Sequence, residues 1–318
     1  IKQLYCCQYD PSDKENAKFN FEANKEDFLG KIIPNKKIVE ILDDLILDNN
    51  IRIFNDELVS KINKLNNQIE VISSTASSFS AKLLIMADGK NSFIKKLSEF
   101  DFITHDFEQT ALSIIAKVRR KSSNIAYQYF TPNGPLALLP YSSSYASIVW
   151  SLKKESNELK LDEKKLEEAI KHILKPEIHE LEITSLQRYN LSFSFSKKLF
   201  SERLAIIGDA AHSIHPIAGQ GLNLIIKDIA CLTKQLIKYR SLGYELGDRV
   251  ALNEYENLRK SDNVAYSFGT LILDEVFSIE NKNIRKLTKS VLKIFNQNKT
   301  LKQYFVNSAT GYNYFRDL

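Results

Sequence analysis

The sequence lacks the features that define several other classes of protein. No apolar run approaches the roughly 20 residues that an α-helix needs to cross a bilayer, which excludes a membrane-spanning helix and leaves surface association open. Cysteine is scarce: Cys6 and Cys7 are adjacent and Cys231 stands alone, an odd and unspaced set that argues against a disulfide framework or a zinc site and suits a reducing compartment. The formal net charge of +5 comes from lysines scattered among glutamates, and without a basic block it predicts no nucleic-acid partner.

The opening unit of a dinucleotide-binding fold is also absent. Such a fold begins with a strand, a G-x-G-x-x-G turn and a helix, together about 30 residues or more. No such turn occurs here, the chain starts with the predicted strand IKQLYCCQYD, and its single methionine is Met86. We therefore expect the chain to be a fragment of a longer polypeptide, with the first βαβ unit missing.

The sequence does contain enough apolar material for a large core. Its 318 residues are 43% hydrophobic and 26% charged, ordinary values for one large domain or two smaller ones. Alternating apolar runs predict strands over 1–9 and 18–22, a meander over 51–54, 58–62 and 69–73, and an antiparallel sheet over 110–150 with a turn at Asn133-Gly134. Apolar periodicity predicts helices over 35–48, 161–174, 244–278 and 287–305, and strand character returns over 182–195.

The most informative stretch is residues 203–232, RLAIIGDAAHSIHPIAGQGLNLIIKDIACL. Its apolar run Leu204–Ile207 ends at Gly208-Asp209, which predicts a buried strand with an acid at its carboxyl end, where ligands of open α/β sheets bind. After a turn at Pro216, Gly219-Gln220-Gly221 opens a helical pattern. The predicted buried face of that helix is Leu222, Ile225, Ile226, Ile229, Leu232 and Leu236.

The order of strand, acid and helix occurs a second time. The apolar run Leu83–Met86 ends at Ala87-Asp88-Gly89, and a helix is predicted from about Ser92. For Asp88, capping of that helix and contact with a cofactor are compatible roles.

These residues suit a nucleotide cofactor. Gly219 and Gly221 lack a Cβ, so a flat ligand can approach the backbone, and free N–H groups at the positive end of a helix favour negative charge. An ionised Asp209 accepts hydrogen bonds from ribose or ribityl hydroxyls, and Asn223 can donate and accept along the mixed edge of a flavin ring. His212 and His215 have a spacing that could suggest a metal, but Pro216 and the lack of a third ligand favour structural histidines.

The segment GDAAHSIHPIAGQGLNLIIKDIACL resembles the second FAD-binding motif of the class A flavoprotein monooxygenases, in particular the ubiquinone-biosynthesis hydroxylases. The likeness covers essentially the whole chain: Asp88-Gly89 is similar to the family's Asp-Gly motif, and Phe130, GPLALLP and Val149-Trp150 resemble the ubiquinone-hydroxylase pattern, as Tyr255, Arg259 and Asp262 resemble its helical signature. The chain has Lys36 and Lys95 where the family has Arg, and Asn190 where it has Pro. The resemblance implies cofactor-binding roles for Asn35, Asp88, Gly89, Gly208, Asp209, Pro216, Gly219, Gln220, Gly221, Leu222 and Asn223.

The fold that the resemblance implies is α/β (α+β), of the p-hydroxybenzoate hydroxylase type. It comprises an FAD-binding Rossmann-like domain over 29–104 and 201–245, an antiparallel substrate-binding sheet over 1–28 and 105–200, and C-terminal helices over 246–318.

The implied function is an FAD-dependent monooxygenase that hydroxylates an aromatic ring, a polyprenylated phenol of ubiquinone biosynthesis, through a flavin hydroperoxide. NADPH or NADH is the implied hydride donor, and O2 and a small hydrophobic aromatic compound are the implied substrates. Because the flavin carries the chemistry, we predict no catalytic side chain and no metal.

The resemblance also implies an assembly with other ubiquinone-biosynthesis enzymes and a cytoplasmic location, with peripheral attachment to the inner membrane left open. Two alternatives for the function remain. One is a flavin hydroxylase or reductase acting on another hydrophobic substrate. The other is a truncated remnant that keeps the fold without the cofactor and serves as an interaction module.

Overall fold

The computed structural model describes residues 1–9, 17–23, 28–92, 95, 100–175, 177–219, 221–278, 296–300, 302–303 and 306. The chain divides into two compact units. The first unit consists of residues 1–44, 108–191 and 272–318, and the second of residues 45–107 and 192–271. The division into a cofactor domain, a sheet domain and a helical region stays a prediction.

The described elements confirm the predicted mixed α/β class. The strands are β1 (Gln3–Gln8), β2 (Ala17–Glu22), β3 (Val59–Lys64), β4 (Ile69–Ser73), β5 (Ser78–Ala81), β6 (Leu84–Met86), β7 (Phe102–Arg120), β8 (Ile125–Thr131), β9 (Gly134–Pro140), β10 (Tyr145–Lys153), β11 (Ile178–Ser196), β12 (Phe200–Ser201), β13 (Leu204–Ile206) and β14 (His212–Ser213). The helices are α1 (Asn35–Asp48), α2 (Glu163–Leu174), α3 (Gly221–Ser241) and α4 (Arg249–Ser278). Short 3-10 turns cover Asn157–Lys160, Gly208–Ala210 and Pro216–Ala218.

The first unit is built on a sheet with the strand order β11-β7-β10-β9-β8-β1-β2. Strand β10 pairs antiparallel with β7 and β9, whereas β1 pairs parallel with β8. A turn joins β8 to β9 one residue earlier than predicted, at Pro132-Asn133, because Gly134 already pairs with Thr131 as the first residue of β9. Gly134 has a φ of 128°, and a Cβ there would lie 1.9 Å from the carbonyl oxygen of Ser151, so the close approach of the two backbones requires glycine.

The core of the first unit joins apolar sheet residues to one face of α2. Leu112, Ile148 and Trp150 are almost fully buried in the same cluster as Leu166 and Ile170 of the helix. The predicted helix over 161–174 is confirmed with a start at Glu163, because Asp162 accepts a hydrogen bond of 2.9 Å from the backbone N–H of Lys165 and so caps the helix.

The second unit contains two small sheets. One has the antiparallel order β3-β4-β5, and the other has the order β12-β13-β6, in which β13 is parallel to β6. Strand β14 pairs with the end of β11 at Ser194 and Phe195. Helix α3 and the part of α4 up to Leu271 complete this unit.

Several predicted elements differ from the structure. Residues 51–54 form no strand: they have no ladder partner among the described residues, and Ile51, Ile53 and Phe54 are more than half exposed. The third strand of the meander is β5 instead. Helix α4 begins at Arg249 rather than Tyr244, because Gly247 has a φ of 93° and residues 246–247 form a turn. The predicted helices from Ser92 and over 287–305 fall largely outside the described residues.

The predicted bounds of α1 are confirmed, but its apolar residues are not buried by the described part of the chain. No residue of α1 is buried, and Ile41, Leu42 and Leu45 are each about half exposed. The apolar periodicity of this helix therefore has no matching core within the described part of the chain.

Candidate functional site

The two predicted acidic strand ends lie side by side in the second unit. Strands β13 and β6 are parallel, with Ile206 opposite Met86, and the N–H of Ile207 donates to the carbonyl oxygen of Met86 at 3.1 Å. Because the carboxyl ends of parallel strands meet at one edge of a sheet, Asp88 and Asp209 follow the sheet at the same edge. Both residues are exposed, so their carboxylates are available to a ligand.

A lysine interacts electrostatically with both acids. Desolvation by partial burial lowers the pKa of Lys95, and the carboxylates of Asp88 and Asp209 raise it in part, so that the pKa lies below its ordinary value. The Lys95 Nζ donates to the carbonyl oxygen of Lys90 at 3.1 Å and lies 4.7 Å from the ring centroid of Phe102. Two carboxylates and one cation at a sheet edge fit the hydroxyl and phosphate groups of a nucleotide.

The turn that carries Asp209 depends on a glycine. Gly208 has a φ of 61° and opens the 3-10 turn Gly208–Ala210, which is closed by a 2.8 Å hydrogen bond from the N–H of Ala211 to the carbonyl oxygen of Gly208. A Cβ at position 208 would lie 3.2 Å from Cγ1 of Ile225 on α3. The turn and the first part of α3 therefore pack directly against each other, and a Cβ at position 208 would require the Ile225 side chain to shift by a few tenths of an ångström.

A buried polar network is attached to this turn. The Oδ2 atom of Asp228 accepts the N–H of Gly208 at 3.0 Å and lies 2.6 Å from Nε2 of His212. Its Oδ1 atom accepts from Nε of Arg259 at 2.8 Å and from Nδ2 of Asn263 at 3.4 Å. All of these groups are buried, and both carboxylate oxygens are used.

The charge of Asp228 is stabilised by its partners. Burial alone would raise the pKa of this carboxyl, but hydrogen bonds and opposite charge from His212 and Arg259 outweigh that effect and hold the pKa below its ordinary value. Because an ionised carboxylate can only accept, Nε2 of His212 is assigned as the donor in their contact. The network thus consists of a carboxylate with donors on both sides.

The glycine-rich start of α3 is confirmed as a helix N-terminus. Gly219 is exposed, has a φ of 60° and ends the 3-10 turn Pro216–Ala218. Gly221 is the first residue of α3, which is 21 residues long, so the positive end of the helix dipole lies at this point. The next residues, Leu222 and Asn223, are exposed.

The remaining predicted site residues fall in different places. Gly89 follows Asp88 with a φ of 81°. Asn35 is the exposed first residue of α1 and belongs to the first unit. Gln220 lies outside the described residues.

The predicted buried face of α3 is largely wrong. Leu222, Ile226 and Ile229 are 50%, 43% and 47% exposed. The residues that the helix buries are Leu224, Lys227, Asp228, Cys231, Leu232 and Gln235. The reason is that Asp228 must face its buried donors, and this requirement sets the helix rotation in place of the apolar stripe. Cys231, the cysteine that stands alone in the sequence, is buried.

The two histidines are buried and hydrogen-bonded, as the structural interpretation predicts. The ring of His215 accepts the N–H of Ile217 at Nδ1 over 3.2 Å and packs edge-on against Phe107. In the part of the chain that the structure describes, no three His, Cys, Asp or Glu side chains are grouped so as to hold a metal ion.

Asp228 and Asn263 are the site residues that sequence reasoning missed. A signal for Asp228 was present, because it lies at helical spacing between Leu224 and Leu232, where a carboxylate can be buried only with partners. Asn263 lies one helical turn after Arg259 on the same helix, and this spacing is a weaker signal.

A family model described as an FAD binding domain matches residues 61–261, more than half of the chain. Ubiquinone hydroxylase UbiL of Rhodospirillum rubrum is 27% identical over 258 residues, which cover 79% of this chain and 60% of that protein. The human mitochondrial ubiquinone biosynthesis monooxygenase COQ6 is 29% identical over 239 residues, which cover 64% of this chain and 51% of that protein. The chain thus spans between 51% and 60% of the length of these two relatives.

The fold is shared with aromatic hydroxylases of known structure. The crystal structure of p-nitrophenol 4-monooxygenase PnpA from Pseudomonas putida is similar with a TM-score of 0.75 at 15% identity, covering 99% of this chain and 82% of that one. Together these findings confirm the predicted resemblance to the class A flavoprotein monooxygenases of ubiquinone biosynthesis and the predicted fold.

Proposed function

Because the chain belongs to the FAD-binding domain family, we propose that it forms part of an FAD-dependent monooxygenase that hydroxylates an aromatic ring in ubiquinone biosynthesis. The observation that carries the proposal is the sheet edge of the second unit. There the exposed Asp209, on a turn held by a buried network, shares the edge with Asp88 and the cation of Lys95.

In this proposal the residues at the sheet edge bind different parts of FAD. The Asp209 carboxylate accepts hydrogen bonds from ribityl or ribose hydroxyls, and Lys95 balances the negative charge of the pyrophosphate. The N-terminal end of α3, which begins at Gly221 after Gly219, would favour negative charge on the bound cofactor. Asn35, Asp88, Gly89, Gly208, Pro216, Gln220, Leu222 and Asn223 complete the proposed set of cofactor-binding residues.

When bound, FAD supplies the redox chemistry, taking two electrons from NADPH or NADH and using them to activate O2. One oxygen atom enters the ring as a hydroxyl group, the ring hydrogen it replaces is lost as a proton, and the second oxygen atom leaves as water. The protein binds and orients the reactants and keeps bulk water away, so no side chain is proposed as a nucleophile.

The proposed substrate is a polyprenylated phenol, because the relatives are named as ubiquinone hydroxylases and monooxygenases. Such a substrate resides in a membrane, so we include peripheral attachment to the inner membrane and contact with other enzymes of the route in the proposal. Among the helices in the described ranges, none is long and apolar enough to cross a membrane.

The proposal is tested with the full-length protein purified with its flavin. Adding NADPH or NADH without oxygen is expected to bleach the visible flavin spectrum. Admitting labelled oxygen gas with a prenylated phenol is then expected to place one labelled oxygen atom in the product, read by mass spectrometry. A flavin that bleaches without labelling any phenol would contradict the hydroxylase and favour a reductase. A colourless protein would contradict flavin binding.

A further inference from the structure

We propose that Asp228 is the positioning residue of the flavin site: its carboxylate fixes the Gly208–Asp209 turn from within the protein, so that Asp209 is held ready for the cofactor. This inference rests on the proposed function for the identity of the ligand. The anchoring of the turn itself is an independent claim about the cofactor-free protein.

The two oxygens of the Asp228 carboxylate serve different elements. Oδ2 is bonded to the turn, through the N–H of Gly208 at 3.0 Å and the ring of His212 at 2.6 Å. Oδ1 is bonded to α4, through Nε of Arg259 at 2.8 Å. The carboxylate is therefore a bridge from α4 through α3 to the turn.

The bonds to the turn lie on both sides of Asp209. Gly208 precedes it directly, and His212 follows three residues later at the start of β14. The strand that leads into the turn is fixed as well, since the hydroxyl of Tyr255 donates to the carbonyl oxygen of Ile206 at 3.0 Å. With both flanks anchored, the backbone at Asp209 has little freedom, although its own side chain is exposed.

The bridge is rigid because Arg259, which donates to Oδ1 of Asp228, is itself held by further hydrogen bonds. Arg259 is fully buried and also donates from Nη2 to Asn263 at 2.7 Å and from Nη1 to Asp262 at 2.9 Å. Charge-assisted bonds such as those to the two carboxylates are shorter and stronger than neutral ones. Asp262 contacts only the far end of the guanidinium in this network, and its side chain is 39% exposed.

The experiment compares Asp228→Asn with Asp262→Asn in the full-length protein. Both changes remove one carboxylate that contacts Arg259, but only Asp228 touches the turn. We expect Asp228→Asn to weaken FAD binding on the order of tenfold to a hundredfold, the effect of an unmade buried bond, and Asp262→Asn to change it by less than about threefold. FAD dissociation constants from quenching of flavin fluorescence give this comparison.

A second readout requires no cofactor. Hydrogen exchange of peptides covering 204–213, followed by mass spectrometry in the FAD-free protein, is expected to accelerate on the order of tenfold in Asp228→Asn and to remain at the wild-type rate in Asp262→Asn. If Asp228→Asn fails to fold, two variants at His212 test the bridge in its place. His212→Gln keeps an N–H donor near the position of Nε2, so it is expected to retain protection and FAD affinity that His212→Ala loses.

The outcomes separate the two proposals. Wild-type exchange rates and FAD affinity in Asp228→Asn, or equal losses in His212→Gln and His212→Ala, would overturn the positioning role while the proposed function stands. A wild-type protein that binds no FAD would overturn the proposed function, and faster exchange in Asp228→Asn than in Asp262→Asn would still support the anchoring of the turn.

Discussion

The two compact units bury different kinds of side chain. The core cluster of the first unit, which joins its sheet to α2, consists of apolar residues and tyrosines. Among the residues that the structure describes, the buried charged side chains Arg203, Lys227, Asp228 and Arg259 all lie in the second unit. The first unit is thus specified mainly by apolar pattern, whereas the second is specified by polar partners that also hold the turn carrying Asp209.

The largest effect is expected from removing the buried cation of the second unit. Arg259→Ala leaves the Asp228 carboxylate buried without its guanidinium partner, and loss of one member of a buried ion pair is destabilising by about 3–5 kcal/mol. Hydrogen exchange of α3 peptides in increasing urea measures the change. The control is Arg240→Ala, an exposed arginine at the end of the same helix, α3, that carries Asp228. Similar stability of the two variants would contradict the role given to the network.

The next effect is expected in the first unit and has another cause. Leu112→Ala opens a cavity at a fully buried position of the sheet, which destabilises a protein by about 2–5 kcal/mol. We expect the loss to be the same at neutral and mildly acidic pH, because no charge is involved. Leu42→Ala, at a half-exposed position of α1, is the matched control, with an expected change within about 0.5 kcal/mol. Hydrogen exchange of peptides from the sheet, followed in increasing urea, measures the loss of stability in each of the two variants.

A smaller effect is expected from two glycines with the same backbone conformation. Gly208 and Gly219 have φ angles of 61° and 60°, so alanine at either position adopts a left-handed conformation that is unfavourable by about 1–2 kcal/mol. A Cβ at Gly208 would also lie 3.2 Å from Ile225, whereas a Cβ at Gly219 would meet no atom of the described residues within 4 Å. We therefore expect Gly208→Ala to lower the midpoint of thermal unfolding more than Gly219→Ala. Equal midpoints would contradict the tight packing of the turn on α3.

The smallest effect is expected from an exposed charge in the first unit. Asp162→Ala removes the cap of α2, and the pKa of Asp162 lies below its ordinary value chiefly because its carboxylate accepts the backbone N–H of Lys165. A carboxyl with a lowered folded pKa stabilises the fold above its ordinary pKa of about 3.9, and this contribution disappears as the pH falls through the folded value. At neutral pH we expect the wild type to have a larger free energy of unfolding than the variant. In strong acid this difference is expected to vanish. A difference that persisted there would assign the effect to packing.

The sequence was most informative where apolar pattern alone determines structure. The antiparallel sheet predicted over 110–150 is confirmed in β7 to β10, because this region consists of alternating or apolar runs between clear turns. Residues 51–54 have the same apolar character but no partner among the strands that the structure describes, and pairing is a tertiary property that a single run does not encode.

For the candidate site, the sequence located the acids and glycines but not what holds them. Asp88, Asp209 and Gly208 follow from strand ends, a local pattern. The rotation of α3 could not be predicted in the same way, because it is set by bonds from Asp228 to Gly208 and Arg259, which are distant in sequence. Periodicity predicted that Leu222, Ile226 and Ile229 are buried, but the pairing of the buried Asp228 carboxylate sets a different rotation of the helix.

The central claim is that the turn at Asp209 binds FAD, and its most direct test is a titration of the full-length protein with FAD. Flavin fluorescence gives the dissociation constants of wild type, Asp209→Ala and Asp101→Ala, the last an exposed acid of the same unit. We predict that wild type and Asp101→Ala bind FAD alike and that Asp209→Ala binds it on the order of tenfold or more weakly, as expected for lost charge-assisted bonds. Equal affinity of all three proteins, or no binding by wild type, would contradict the claim.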